Sequence, residues 1–101
     1  MDEDIYEMIE YFASRNKILY VHFRNVSAPT PDKFHEEFIN TGYVDMVKAM
    51  KTYKDAGYEG CFMDDHCPDI YNDQEFPGNL GGYRSRIFAQ GYIQGLLDSI
   101  K

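Results

Sequence analysis

No apolar run in this sequence approaches the roughly 18 consecutive residues that a membrane-spanning helix needs, so a span through a bilayer is not expected. Positive charge is also scarce. Ten Lys and Arg stand against seventeen Asp and Glu, and they are dispersed without a basic stripe, which argues against a nucleic-acid partner. The beginning of the chain, Met1-Asp2-Glu3-Asp4, is acidic where a secretory signal would be basic. Cysteine is limited to Cys61 and Cys67, whose spacing makes neither a CxxC redox pair nor a four-ligand zinc pattern. A cytoplasmic protein with free thiols is therefore expected. Cys61, at the start of an apolar run, is expected to be a small buried hydrophobe, and Cys67, beside a histidine, is a candidate metal ligand. Internal repeats and low-complexity tracts are absent too.

What is present is enough for one small domain. A hydrophobic fraction of 44% with 16% aromatics is too high for a disordered chain, and 101 residues support a single modest core. The net charge of −7 comes from acids scattered among bases, as on a solvated surface. Ile5, Met8, Ile9 and Phe12 recur at helical spacing behind a possible cap at Asp2 or Asp4, so a helix is expected over residues 4–14, closed by Arg15-Asn16. Residues 18–24 are too continuously apolar for a solvent-facing strand and suit a parallel sheet covered on both sides. Alternation places Ile18, Tyr20, His22 and Arg24 on one face and Leu19, Val21 and Phe23 on the other. Residues 27–43, with Pro29, Pro31 and Gly42, are expected to form a long functional loop. Val44, Val47, Met50 and Tyr53 then continue at helical spacing to a stop at Gly57. A second strand over 60–65 ends at Pro68, and a loop containing Pro77, Gly78, Gly81 and Gly82 leads to a helix from Tyr83 to Ile100. Its expected inward residues are Ile87, Phe88, Gly91, Tyr92, Leu96 and Leu97.

The expected order is helix, strand, helix, strand, helix, with the two strands parallel in a βαβ unit. Two such strands leave both sheet edges bare, which a freestanding protein avoids. The chain is thus expected to be a piece of a larger α/β sheet, or to complete itself by association.

Polar groups collect where the strands end. His22 and Asp65 together offer one nitrogen and one oxygen ligand, a pair that suits manganese, iron or a magnesium-like ion better than structural zinc. His66 follows Asp65 and by alternation should point elsewhere, which casts it as an acid/base group rather than a ligand. Tyr83 carries a hydroxyl able to give or take a proton. Each has a plainer reading: a hydrogen-bonded structural histidine, cap and turn chemistry for Asp64-Asp65, and a helix-start aromatic for Tyr83. All three of His22, Asp65 and His66 nevertheless fall at C-terminal strand ends, where barrel enzymes carry their catalytic groups.

Tyr20-Val21-His22-Phe23-Arg24-Asn25-Val26, Phe34-His35-Glu36, Val44-Asp45-Met46, Asp65-His66 and Gly82-Tyr83 through Phe88-Ala89-Gln90-Gly91-Tyr92-Ile93-Gln94-Gly95-Leu96 resemble, in order and spacing, the C-terminal part of mannonate dehydratase. The resemblance covers essentially the whole chain. It implies part of a (β/α)8 TIM barrel of the xylose-isomerase-like type, here only a helix-strand-helix-strand-helix portion. The implied reaction is loss of water from D-mannonate to give 2-keto-3-deoxy-D-gluconate, with Mn2+ or Fe2+ as cofactor. By matching motif, His22 and Asp65 would be metal ligands, and His66 and Tyr83 the acid/base pair, with the division of roles open. Arg24 would pair with the substrate carboxylate, and His35 and Glu36 would bind its hydroxyls. The family's other ligands, a histidine and a cysteine, lie on earlier strands outside this chain, and neither Cys61 nor Cys67 takes that cysteine's place. Met63-Asp64 departs from the family, many members of which carry Arg-Pro there. A closed barrel needs about 250 residues, so the chain alone is expected to be inactive and to work with the missing N-terminal barrel portion or as a homo-oligomer. The rivals are a related metal-dependent sugar isomerase or epimerase and a non-catalytic truncated or assembly module.

Overall fold

The computed structural model describes residues 3–70 and 82–101. The loop containing Pro77, Gly78 and Gly81 lies outside the described residues, as does Asp2. Helix α1, Ile5–Ala13, begins where the Asp4 carboxylate accepts hydrogen bonds from the backbone N–H of Tyr6 and Glu7, satisfying donors that a first turn leaves open. It ends at Ala13 with Ser14 as its cap, and in the turn that follows Asn16 takes φ +56° and directs the chain away. Strand β1, Tyr20–His22, is shorter than the expected seven-residue strand because the chain is not yet in the ladder at Ile18 and Leu19. The faces of those two residues are accordingly reversed: Ile18 packs against the core and Leu19 is 88% exposed.

Residues 27–43 are not one open loop. Strand β2, Asn25–Val26, pairs antiparallel with β3, Glu36–Glu37, in the register Asn25↔Glu37 and Val26↔Glu36. Helix α2, Met46–Asp55, is capped by Asp45, which accepts from the Lys48 N–H. At its other end Gly57 takes φ +86°, Gly57 N–H donates to Lys54 C=O and Tyr58 N–H to Tyr53 C=O, a Schellman closure that favours glycine at the left-handed position. Strand β4, Cys61–Met63, returns parallel to β1, with Tyr20↔Cys61, Val21↔Phe62 and His22↔Met63 in register. Helix α3, Tyr83–Ser99, completes the described chain.

The parallel pair has one covered and one open face. Val21 and Phe23 point into a core with Ile9, Ile39, Met46, Ala49, Met50, Ala89 and Ile93, and Phe62 packs against it. Phe62 also meets the rings of Phe23, Tyr53 and Tyr58 edge-on or nearly so, at centroid separations of 5.4, 5.2 and 5.3 Å. Tyr20, His22 and Met63 stay exposed on the open face. Several expected inward residues face outward: Ile5, Met8 and Phe12 of α1, Val47 of α2, and Ile87 and Phe88 of α3 are exposed. On α3 the buried stripe is Ser85, Ala89 and Ile93, and the small Ser85 and Ala89 let the first half of the helix lie close to its neighbours. Cys61, expected to be a buried hydrophobe, is exposed, and Cys67 is buried.

Candidate active site

Beyond the last ladder pair, His22↔Met63, the two strands release their polar residues together. The Phe23 N–H still donates to Met63 C=O at 2.8 Å, holding the two exits side by side. On the open face His22 Nδ1 stands 3.4 Å from Asp65 Oδ2, and Arg24 Nε stands 3.6 Å from the same oxygen. His66 Nε2 lies 3.5 Å from Asp65 Oδ1, so its ring turns back towards Asp65 rather than away from it. The strand has already ended at Met63, and two-residue alternation no longer fixes where residue 66 points.

The β2–β3 hairpin closes the other side of this group. Glu36 Oε1 accepts from Arg24 Nη1 at 3.0 Å and lies 3.7 Å from His66 Nδ1. Its second oxygen, Oε2, is buried with no hydrogen-bond partner among the described residues. Consecutive strand residues face opposite ways, and His35 bonds Glu37 Oε1 at 2.9 Å, on the side of the hairpin away from Glu36. His35 is 73% exposed there. The structure thus gathers His22, Arg24, Glu36, Asp65 and His66 and leaves His35 outside the group. Tyr83 is the exposed first residue of α3, following buried Gly82 at φ +73°.

Two further residues support the arrangement and were not singled out from the sequence. Asn25, 1% exposed, donates through Nδ2 to Ile39 C=O and Val44 C=O and accepts from the Val44 N–H, pinning the hairpin to the entry of α2. Asp64, read from the sequence only as turn chemistry, faces the helices and takes Arg86 Nε and Gln90 Nε2. Burial pushes the Asp64 carboxyl up, but hydrogen bonds from Arg86 and Gln90 outweigh it and hold the group below the usual carboxylate range. A buried polar partner of this kind has no periodic signal. Asn25 could have been noticed as an amide closing an otherwise apolar strand.

The donor chemistry fits half of a metal shell. Two ligands at about 2.1 Å from one ion stand roughly 3.0–3.4 Å apart in octahedral or tetrahedral geometry, which the His22–Asp65 spacing matches. Among the described residues no group of three or more His, Cys, Asp or Glu suits a metal. Cys67 Sγ lies 3.2 Å from Ser85 Oγ, on the buried side, and does not extend the His22–Asp65 pair.

The family model for D-mannonate dehydratase (UxuA) matches residues 1–101. The chain belongs to the D-mannonate dehydratase family. It is 35% identical over 89 residues to a mannonate dehydratase of Brachyspira hyodysenteriae, covering 86% of this chain and 24% of that protein. It is 30% identical over 99 residues to mannonate dehydratase 2 of Halalkalibacterium halodurans, covering 96% and 28%. The crystal structure of mannonate dehydratase from Streptococcus suis serotype 2 superposes with a TM-score of 0.80 at 32% identity, over 92% of this chain and 27% of that one. The chain therefore spans about a quarter of the length of the mannonate dehydratases it matches.

Proposed function

We propose that residues 1–101 are a C-terminal portion of a (β/α)8 barrel that converts D-mannonate to 2-keto-3-deoxy-D-gluconate and water. The observation that carries this reading is the approach of His22 Nδ1 to Asp65 Oδ2, 3.4 Å, on the open face of two parallel strand ends, in a chain of this family. His22 and Asp65 hold Mn2+ or Fe2+, with the remaining ligands supplied by barrel strands outside this chain. Once bound, the ion supplies Lewis acidity against the charge that develops on the substrate's oxygens.

The other roles follow from positions around that pair. A guanidinium has five N–H donors, so Arg24, although bonded to Glu36, retains donors for the substrate carboxylate. Glu36, whose Oε1 faces Arg24 and His66, receives a substrate hydroxyl. His35, held by Glu37 on the other side of the hairpin, is given no role. His66 and Tyr83 divide the two proton transfers: one takes the proton from the carbon beside the carboxylate and the other protonates the departing neighbouring hydroxyl. Loss of both leaves an enol, which gives up its O–H proton and gains one on carbon to become the 2-keto-3-deoxy acid. Two cysteines that make neither a CxxC pair nor a four-ligand zinc pattern suit a reducing, cytoplasmic setting.

Among the described residues β1 and β4 pair only with each other, and this together with the exposed open face supports a chain that works only when joined to the rest of a barrel. The test is to co-express it with a mannonate dehydratase shortened by its corresponding C-terminal part and supply Mn2+ and D-mannonate. Dehydration should appear in the mixture and vanish with His22→Ala. Turnover by the 101-residue chain alone, or none in a folded complex, would overturn the reading.

A further inference from the structure

Asp65 and His66 leave β4 after its last ladder residue, Met63, so pairing with β1 does not by itself orient them. What anchors the exit is the residue between. Asp64 is 8% exposed, and both of its carboxylate oxygens are engaged: Oδ2 by Arg86 Nε at 2.5 Å and Oδ1 by Gln90 Nε2 at 3.0 Å. Arg86 and Gln90 are four residues apart on α3, which places them on adjacent turns of one helix face. A carboxylate gripped at both oxygens cannot swivel, whereas an apolar side chain would be held only by non-directional contacts. Asp64 is drawn towards the helices while Asp65, the next residue, meets His22 and Arg24 on the open face, so the anchor fixes the backbone from which Asp65 leaves.

The clamp reaches the second element of the site as well. Arg86 lies one turn after Tyr83, and its N–H donates to Gly82 C=O. The same ion pair therefore ties the β4 exit, which carries His66, to the first turn of α3, which carries Tyr83.

We propose that Asp64, held by Arg86 and Gln90, is a positioning residue that fixes Asp65 and His66 against His22 and sets the first turn of α3 relative to them. This deepens the dehydratase reading and rests on it for the roles of the residues positioned. A purely structural ion pair is the competing account, although a buried pair contributes little stability over an apolar replacement. The two accounts differ in what happens on the open face when the clamp is broken.

The experiment records the histidine ring resonances of the full 15N-labelled chain, without metal and at one pH, for the wild type, Asp64→Asn, Arg86→Lys and Met50→Ala. Met50 is a core residue remote in role from the clamp, and its substitution controls for lost stability. Asp64→Asn should move the His22 and His66 ring signals towards those of motion-averaged exposed imidazoles. Arg86→Lys, which keeps a cation, should move them less, and Met50→Ala should leave them in place. If Asp64→Asn does not fold, Gln90→Ala removes one prong and should give a smaller displacement of the same signals. Wild-type positions of both rings in a folded clamp variant would overturn the inference. Selective broadening of the His22 ring by added Mn2+ reports the metal reading separately: its absence in the wild type would sink that reading while the metal-free comparison still decides the clamp. Where Mn2+ binds, Asp64→Asn should weaken it about tenfold, as misorienting a ligand does.

Discussion

Asn25 and Gly42 fit against each other without room for one more carbon: a Cβ added at Gly42 would stand 2.3 Å from Asn25 Cγ and 2.7 Å from Val26 C=O. The contact is tight because the Asn25 amide is already fixed by Ile39 and Val44. Gly42→Ala should therefore destabilise the chain by about 2 kcal/mol, as expected of overpacking. Asn25→Ala should cost roughly 3 kcal/mol, because it strands buried backbone groups of the hairpin and the α2 entry. The double variant should lose less than the sum, since shortening residue 25 vacates part of the space residue 42 needs. Urea unfolding of the four proteins measures the coupling, and strict additivity would contradict the geometry.

These two residues also show where sequence reasoning stops. The split of Tyr20 and His22 from Val21 and Phe23 was legible because a strand repeats every two residues, and so was the Gly57 stop, because a left-handed closure has its own residue preference. The β2–β3 hairpin was not legible: two strands of two residues carry no period, and Asn25 acquires its partners from residues fourteen and nineteen positions later. On α3, hydrophobicity favoured Ile87 and Phe88 as inward residues, whereas close packing selected Ser85 and Ala89. The His22–Asp65 approach followed from two strand ends lying in parallel. The bridge through Glu36 did not, because it depends on the hairpin that no pattern announced.

Glu36 touches Arg24 and His66 through one oxygen, so Glu36→Gln should loosen both without unfolding the chain. The pair with Arg24 is partly exposed, and ion pairs of that kind contribute about 1 kcal/mol or less. Misplacing a reacting group by an ångström costs about a hundredfold in rate. In the reconstituted dehydratase kcat should fall by about that factor while Tm stays nearly constant. A large drop in Tm with unchanged kcat would make Glu36 a purely structural residue.

The pH dependence of stability should have a limb on each side. Asp64 has its folded-state pKa lowered by Arg86 and Gln90 against the opposing effect of burial. Its contribution is therefore complete above the unfolded carboxyl value of about 4 and is lost as pH falls through the lower folded value. Tyr53 and Tyr58 have theirs raised, in both cases chiefly by burial, with Tyr58 adding to the effect on Tyr53 and Cys61 to that on Tyr58. Stability should fall as pH rises above about 10, where the unfolded phenols ionise and the folded ones do not. Thermal unfolding from pH 2 to 11 measures both limbs. Asp64→Asn should flatten the acid limb and Tyr53→Phe the alkaline one, and an unchanged acid limb in Asp64→Asn would assign acid sensitivity to other carboxylates.

Arg24 and the proposed metal ion would compete for one oxygen. Arg24 Nε lies 3.6 Å from Asp65 Oδ2, the atom that also faces His22 Nδ1 at 3.4 Å. A guanidinium held there repels a divalent cation. Arg24→Leu should thus strengthen Mn2+ binding to the chain a few-fold, whereas His22→Ala and Asp65→Asn should each weaken it tenfold or more. Protons compete with the cation for imidazole and carboxylate, so the affinity of the wild type should fall as pH is lowered. Isothermal titration of Mn2+ into the four proteins at two pH values separates these effects. Equal affinity in wild type, His22→Ala and Asp65→Asn would show that any bound manganese sits elsewhere, and a loss of affinity in Arg24→Leu would show that Arg24 holds Asp65 in place for the ion rather than opposing it.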